Sequence, residues 1–127
     1  MAIYFNAVLQ GNPSDPTAPQ KYYARAAKTK ALDLRTLVKE ISYSTTATPS
    51  DVMAILESLL EQIPKYLMDG KRVHLGDFGS FRVTLTSRGE DTEEAVSRHS
   101  IKSVRVQFNP GKELTGRFAL AKFEKNI

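Results

Sequence analysis

The chain has 127 residues, enough for one compact domain with a modest core and too few for two domains of ordinary size. It contains no cysteine, which excludes disulfide frameworks, zinc ribbons and thiol catalysis. Eighteen Lys and Arg against fourteen Asp and Glu give a net charge of +4, which favours polyanionic partners without requiring one.

The sequence shows no signal for secretion or membrane insertion. The first residues, Met1 to Phe5, contain no basic leader, and no apolar run is long enough to cross a bilayer. We therefore expect a cytoplasmic protein with no membrane partner.

The first thirty residues predict a β-hairpin. Residues 3–10 and 21–29 are rich in aromatic and small apolar side chains, which favours strands. Three prolines between them, Pro13, Pro16 and Pro19, fix φ and withhold backbone donors, which favours a loop. We treat residues 1–30 as an N-terminal hairpin extension.

Two amphipathic helices are predicted next. Apolar residues recur at helical spacing over 34–41, just after Asp33, whose negative charge suits a helix start. Residues 48–51 supply an N-cap threonine, a proline at the first helical position and an aspartate at N3, a variant of the capping box. The second helix ends before the turn pair at 69–70, and its apolar stripe is too broad for a short lone helix to bury.

After this turn the apolar period changes to two. Short strands are predicted over 73–75, 81–86 and 104–108, and the polar segment 87–100 connects the second strand to the third and either projects from them or is mobile. Residues 109–112 predict the N-cap and first turn of a short helix that reaches Thr115. Residues 118–123 fit either an extension of that helix or another strand.

This order of elements resembles the HU/IHF family of bacterial histone-like proteins. The resemblance covers residues 32–116 and rests on three segments, which are GKRVHL at 70–75, DFGSFRV at 77–83 and FNPGKEL at 108–114. It implies an α+β fold, an intertwined histone-like dimer in which a two-helix base carries a three-stranded sheet with an arm and a short C-terminal helix. Residues 31–127 would form this DNA-binding domain. The broad apolar stripe agrees with a dimer, since it needs a partner surface.

The resemblance also implies DNA contacts. Lys112 matches a lysine that contacts phosphate at a helix start, and Gly79 and Ser80 match a turn whose backbone amides approach phosphate. Five further cations along the implied arm are candidates for tracking a phosphate backbone, namely Arg82, Arg88, Arg98, Lys102 and Arg105. Each position also has an ordinary interpretation, as a turn residue or as a solvated cation.

The chain departs from the family pattern in the turn and in the arm. Asp77 stands where the family usually has a glycine, which puts a carboxylate near the expected phosphate. Thr84 and Thr86 stand where the family has arginines. No proline occurs between Pro64 and Pro110 to act as the family's wedge at the arm tip, and the stretch 88–94 holds four carboxylates. We expect weaker or differently placed binding, without kinking by intercalation.

The N-terminal hairpin offers a replacement surface. Its second strand and the residues after it interleave Tyr22 and Tyr23 with four cations, which are Lys21, Arg25, Lys28 and Lys30. Basic and aromatic residues on one strand can bind nucleic acid, and they are also common on ordinary strand edges.

The sequence predicts a protein that is not an enzyme. His74 and His99 are the only histidines and neither begins a metal-spaced pair, so we expect no catalytic residue, metal, cofactor or small-molecule substrate. We expect a nucleoid-associated, architectural protein that condenses double-stranded DNA as a homodimer, mainly through phosphate contacts and with little sequence specificity. The alternatives are a non-catalytic protein-interaction or assembly module on the same fold, and an RNA-binding variant.

Overall fold

The computed structural model describes residues 1–126 and has two compact units, residues 1–32 with the segment from Arg117 onward, and residues 33–116. The helices and strands are β1 (Ile3–Gln10), β2 (Lys21–Ala26), α1 (Leu34–Ser44), α2 (Pro49–Met68), β3 (Val73–His74), β4 (Gly79–Ser87), β5 (Ile101–Pro110), α3 (Lys112–Phe118) and β6 (Phe123–Lys125). The predicted α+β class is confirmed. Contacts between residues define the two units, and such contacts carry no information about function. A DNA-binding domain over 31–127 therefore stays a prediction.

The first unit is a three-stranded sheet in the order β2-β1-β6. The predicted hairpin is confirmed, since β1 and β2 pair antiparallel from Phe5 opposite Ala26 to Gln10 opposite Lys21. The strand β2 ends at Ala26, three residues earlier than the composition predicts. On the other edge β6 runs parallel to β1, so a strand begins at Phe123 after the last helix has ended.

The second unit begins with the two predicted helices, and capping explains where each starts. Asp33 accepts a hydrogen bond from the backbone N–H of Thr36 at 2.8 Å and so caps α1. The predicted capping box opens α2, where Thr48 Oγ1 accepts from the N–H of Asp51 at 3.2 Å and the Asp51 carboxylate accepts from the N–H of Thr48 at 3.4 Å. The helix α2 then runs through Pro64 to Met68.

A Schellman motif ends α2 at the predicted turn. The N–H of Gly70 donates to the carbonyl of Leu67 at 3.0 Å, and the N–H of Lys71 donates to the carbonyl of Tyr66 at 3.1 Å. Gly70 has a φ of +77°, which a residue without a side chain adopts at little cost. The chain therefore turns sharply from α2 into the second sheet.

The second sheet has the order β3-β4-β5, and its longest part is a ribbon of β4 and β5. The ladder runs from Gly79 opposite Pro110 to Thr86 opposite Ser103, where an irregularity shifts the register. The predicted N-cap at Asn109 is wrong, because Asn109 pairs with Ser80 and still belongs to the ladder. The helix α3 starts only at Lys112 and continues to Phe118.

The described residues bury few side chains. Val38, Val52 and Leu67 are the buried hydrophobic residues, and Phe81 and Phe78 lie against the ring of Phe108 with ring centroids 4.9 and 5.8 Å away. A groove of about 810 Å³ separates the C-terminal half of α2 from the apolar side of the ribbon. Within residues 1–126 no helix combines the length and hydropathy needed to cross a membrane.

Candidate nucleic-acid interface

The register of β4 and β5 divides the ribbon into an apolar face and a polar face. Residues directly opposite each other share a face, and so do residues two apart along a strand. The polar face consists of Ser80, Arg82, Thr84, Thr86, Ser103, Arg105, Gln107 and Asn109. It carries two guanidinium groups among hydroxyls and amides, and no carboxylate. Three facing pairs on the apolar face are Phe81 with Phe108, Val83 with Val106 and Leu85 with Val104.

Arg82 and Arg105 are diagonal neighbours on the polar face. Arg105 lies opposite Thr84, two residues along the ladder from the pair of Arg82 and Gln107, which puts the two arginine positions about 7–8 Å apart. The Nη2 atom of Arg82 donates to Oε1 of Gln107 at 3.1 Å, which orients the guanidinium and leaves its other donors for a ligand. Both arginines are exposed. The arrangement suits an extended anion such as a phosphate backbone.

At the root of the ribbon the structure brings Lys112, Gly79 and Ser80 together. Gly79 and Ser80 pair with the last two residues of β5, and Lys112 opens α3 two residues after that strand ends. Lys112 and Asp77 are both exposed, so a cation and a carboxylate flank this corner. The corner can offer the hydroxyl of Ser80 and the ammonium group of Lys112 to an anion, while the negative charge of Asp77 repels that anion.

Gly79 itself is buried, and its packing explains why this position takes glycine. A Cβ there would lie 2.5 Å from Cζ of Phe108 and 2.7 Å from the carbonyl oxygen of Asn109, which real Cβ atoms do not do. Internal packing therefore accounts for this glycine without any ligand. Ser80, which is half-buried, and Lys112 are the more accessible residues of the corner.

The far end of the ribbon is folded on itself by Glu90 and Ser100. One carboxylate oxygen of Glu90 accepts hydrogen bonds from Nε of Arg88 at 2.8 Å and from Oγ of Ser100 at 2.9 Å. The carbonyl of Ser100 accepts from the N–H of Arg88 at 2.9 Å and from the hydroxyl of Ser87 at 3.2 Å. Ser100 is only 1% exposed, so it is the centre of this network.

Three of the predicted cations therefore lie apart from the polar face. Arg88 is paired with Glu90, and Arg98 lies in a short 3-10 turn that begins after Ser97. Lys102 lies at the irregularity of the ladder and is exposed. The structure places Ser80, Arg82 and Arg105 on one face, with Lys112 just after its root, and leaves the other three cations dispersed towards the tip.

The two units differ sharply in charge. The first holds seven Lys and Arg against two carboxylates, a net charge of +5, and the second holds eleven against twelve, a net charge of −1. Attraction of a polyanion to the second unit therefore depends on where its cations lie, since its net charge does not favour binding.

Sequence reasoning missed Gln107, Glu90 and Ser100. Gln107 lies two residues from Arg105, so extending the alternation along the third strand would have placed it on the polar face. Glu90 and Ser100 are ten residues apart in irregular structure, where no periodic signal links them.

His74, in β3 opposite Ser80, is exposed, and residues 1–126 contain no group of three or more potential metal ligands.

Comparison with known proteins identifies the family. A family model described as an HU domain fused to wHTH, Ig, or glycine-rich motif matches residues 1–125. A protein of Bacteroides vulgatus ATCC 8482, described as a candidate bacterial DNA-binding protein, has a similar fold in its 2.25 Å crystal structure, with a TM-score of 0.70 and 14% sequence identity. The match covers 98% of this chain and 48% of that one, so the chain spans about half of that protein's length. No curated protein matches the sequence. The chain belongs to the HU-HIG family of HU domains.

Proposed function

We propose that this protein binds double-stranded DNA as a homodimer, mainly through phosphate contacts and with little dependence on base sequence. Membership of an HU-type family supports DNA binding in general. The observation that carries the proposal is the polar face of the ribbon, where Arg82 and Arg105 lie exposed with no carboxylate beside them and Lys112 follows at the root.

The chemistry of the polar face favours phosphate over base contacts. Hydroxyl, amide and guanidinium groups donate readily to phosphate oxygens, and such contacts position a protein on a duplex without reading its sequence. The folded tip between residues 87 and 101 contains no proline to insert between base steps. Under the proposal the protein therefore acts as an architectural protein of the nucleoid, without cofactor, metal or catalytic chemistry, and does not kink DNA by intercalation.

The homodimer is supported by the amount of surface that the single chain leaves open. The accessible surface of the chain is 11171 Å². A single compact monomer of this mass exposes about 6,800 Å², and two separate compact bodies with the sizes of the two units together expose about 8,100 Å². Apolar side chains contribute to this exposed surface, and among them Leu60, Val104 and Val106 are 56%, 60% and 61% exposed. A second copy would supply the apolar surface that the groove beside α2 lacks.

Sedimentation analysis tests the dimer. We expect a mass of about twice the 14.2 kDa of the chain, and Val106→Asp should lower the dimer fraction by placing a charge on the apolar face. Thr46→Asp, in the exposed turn between α1 and α2, is the matched control and should leave the mass unchanged. A wild-type protein that sediments as a monomer would contradict this part of the proposal.

One observation favours a second candidate function, a protein-interaction module on the same fold. The segment that should form a cationic tip holds Glu90, Asp91, Glu93 and Glu94, and Glu90 pairs with Arg88. An acidic tip repels phosphates and suits a basic protein partner. If the purified dimer shifts no duplex even at low salt, this second function replaces the first.

A salt series of mobility shifts tests DNA binding. Affinity for a random-sequence duplex should fall steeply with salt, and Lys112→Ala should lower the slope of log K against log salt concentration by about one. Lys39→Ala, which removes an exposed cation of α1, should leave the slope unchanged. Equal slopes for wild type and Lys112→Ala would show that Lys112 does not contact phosphate.

A further inference from the structure

We propose that the sheet of the first unit is a second nucleic-acid surface, on which unpaired bases stack against Tyr4 and Tyr23 while Lys21 and Arg25 neutralise the adjoining phosphates. The ligand is single-stranded nucleic acid, a class different from the duplex proposed for the ribbon. The sites share no residue, so each can be tested while the other is intact.

The register of β1 and β2 places these four residues on one face. Arg25 lies opposite Asn6, Tyr23 opposite Val8 and Lys21 opposite Gln10, so each pair points to the same side of the sheet. Tyr4 shares that side because it lies two residues before Asn6. Along the sheet the face therefore reads tyrosine, arginine, tyrosine, lysine. We call this the tyrosine face.

The tyrosine rings are accessible and unoccupied within the described residues. Tyr23 is 51% exposed and Tyr4 is 47% exposed. The ring contacts found among residues 1–126 involve neither tyrosine, and no hydrogen bond reaches their hydroxyls. Their positions are about 13 Å apart along the strands, with Arg25 between them. An exposed ring on a sheet beside a cation is the arrangement on which successive bases stack.

The cations of this face have no competing partner in the described part of the chain. Neither Lys21 nor Arg25 has a carboxylate within salt-bridge distance there. The tyrosine face does include one carboxylate, Glu124, which lies opposite Tyr4 on β6. The unit as a whole has a net charge of +5, so its field attracts a polyanion despite this group.

The opposite face of the sheet is apolar, which makes the tyrosine face the polar side of an amphipathic sheet. Ile3, Phe5 and Phe123 line a cleft there with the alanines of β2, and Arg25, which lies between those alanines in the strand, also borders it. Tyr22 also belongs to that side, opposite Leu9, although it is 72% exposed. The chain thus provides its own matched control, a tyrosine in the same strand that faces away.

Fluorescence anisotropy with a labelled oligothymidylate of about 16 nucleotides, near the upper end of site sizes for one small domain, tests the proposal. Tyr23→Ala and Tyr4→Ala should each weaken binding about five-fold to a hundred-fold, as expected for the loss of one base stack, and Tyr23→Phe should bind like wild type. Tyr22→Ala should also bind like wild type. Lys21→Ala and Arg25→Ala should each lower the salt slope by about 0.7.

Circular dichroism spectra and melting temperatures show whether each variant is folded. Three outcomes overturn the inference. The first is an oligothymidylate that does not bind, and the second is an equal effect of Tyr22→Ala and Tyr23→Ala. The third is that Tyr23→Ala or Tyr4→Ala weakens duplex binding as much as it weakens single-strand binding. The tyrosine face would then belong to the duplex site. Oligouridylate in a parallel titration separates RNA from DNA as the preferred strand. Because Lys112→Ala should affect only the duplex, failure of either proposal is distinguishable from failure of the other.

Discussion

The backbone N–H of Gly111 donates a hydrogen bond to the carbonyl of Phe78 at 2.8 Å. This bond ties the 3-10 turn at Gly76–Phe78, just before β4, to the residue that precedes α3, and the two segments are more than thirty residues apart in the chain. The corner that presents Ser80 and Lys112 therefore depends on a close approach of two backbones. Glycine permits that approach because it has no Cβ.

Gly111→Ala should destabilise the second unit. A Cβ at this position would lie far inside the contact distance of the Asp77 carbonyl, and backbone atoms cannot move away as a flexible side chain can. We expect a loss of about 1–3 kcal/mol in the free energy of unfolding, measured by urea denaturation. Gly116→Ala is the control, since a Cβ there meets nothing within 4 Å inside α3, and it should stabilise the protein by about 0.5–1 kcal/mol. Equal free energies of unfolding for Gly111→Ala and wild type would show that the two backbones do not approach as closely as described.

Local sequence signals predicted both ends of α2. The capping residues at 48 and 51 and the turn at Gly70 define α2, and the structure confirms both ends. Contacts between distant segments were not predictable in the same way. Pairing of β6 with β1 joins residues more than a hundred positions apart, and its three residues carry no alternation by themselves.

The pKa of Asp33 should lie below the ordinary value of 3.8. A hydrogen bond from the side chain of Thr36, followed by one from its backbone N–H, favours the charged carboxylate in the folded state. Since folding lowers this pKa, the stabilisation of α1 is fully present above about pH 3.8 and is lost as the pH falls through the lower folded value. A carboxyl ¹³C titration by NMR measures the midpoint directly.

Thr36→Ala gives a matched variant for this titration. It removes the hydroxyl but keeps the backbone donor, so the midpoint for Asp33 should rise part of the way towards 3.8. Thr46→Ala, in the turn after α1, should not move it. A wild-type midpoint at or above 3.8 would mean that the cap hydrogen bonds do not form in solution.

Glu90→Gln should strengthen duplex binding. The carboxylate of Glu90 accepts from Nε of Arg88 at 2.8 Å, and its removal frees that cation for phosphate. We expect tighter binding at low salt and a salt slope steeper by up to about one. Glu94→Gln removes the same charge from the same segment without a pairing partner among the described residues, and so isolates the effect of the ion pair. If both variants change the slope equally, only net charge matters.

Part of the candidate site follows from the sequence and part does not. Alternation along β4 and β5 is enough to assign Arg82 and Arg105 to one polar face, because a strand has a fixed period of two. The roles of Arg88 and Arg98 could not be predicted in this way, since the segment between the strands is irregular and its network depends on Ser100. The difference in charge between the units also required the structure, because residues from both ends of the chain form the first unit.

Paired charge substitutions at Thr84 are the sharpest test of whether the polar face of the ribbon meets the phosphates of a duplex. Thr84 lies opposite Arg105 and two residues from Arg82, in the middle of that face. Duplex affinity across a salt series should rise for Thr84→Lys and fall for Thr84→Glu, with slopes shifted by about one in opposite directions. The same substitutions at Thr46, outside the face, should shift affinity little. If the Thr84 pair behaves like the Thr46 pair, DNA does not bind at this face.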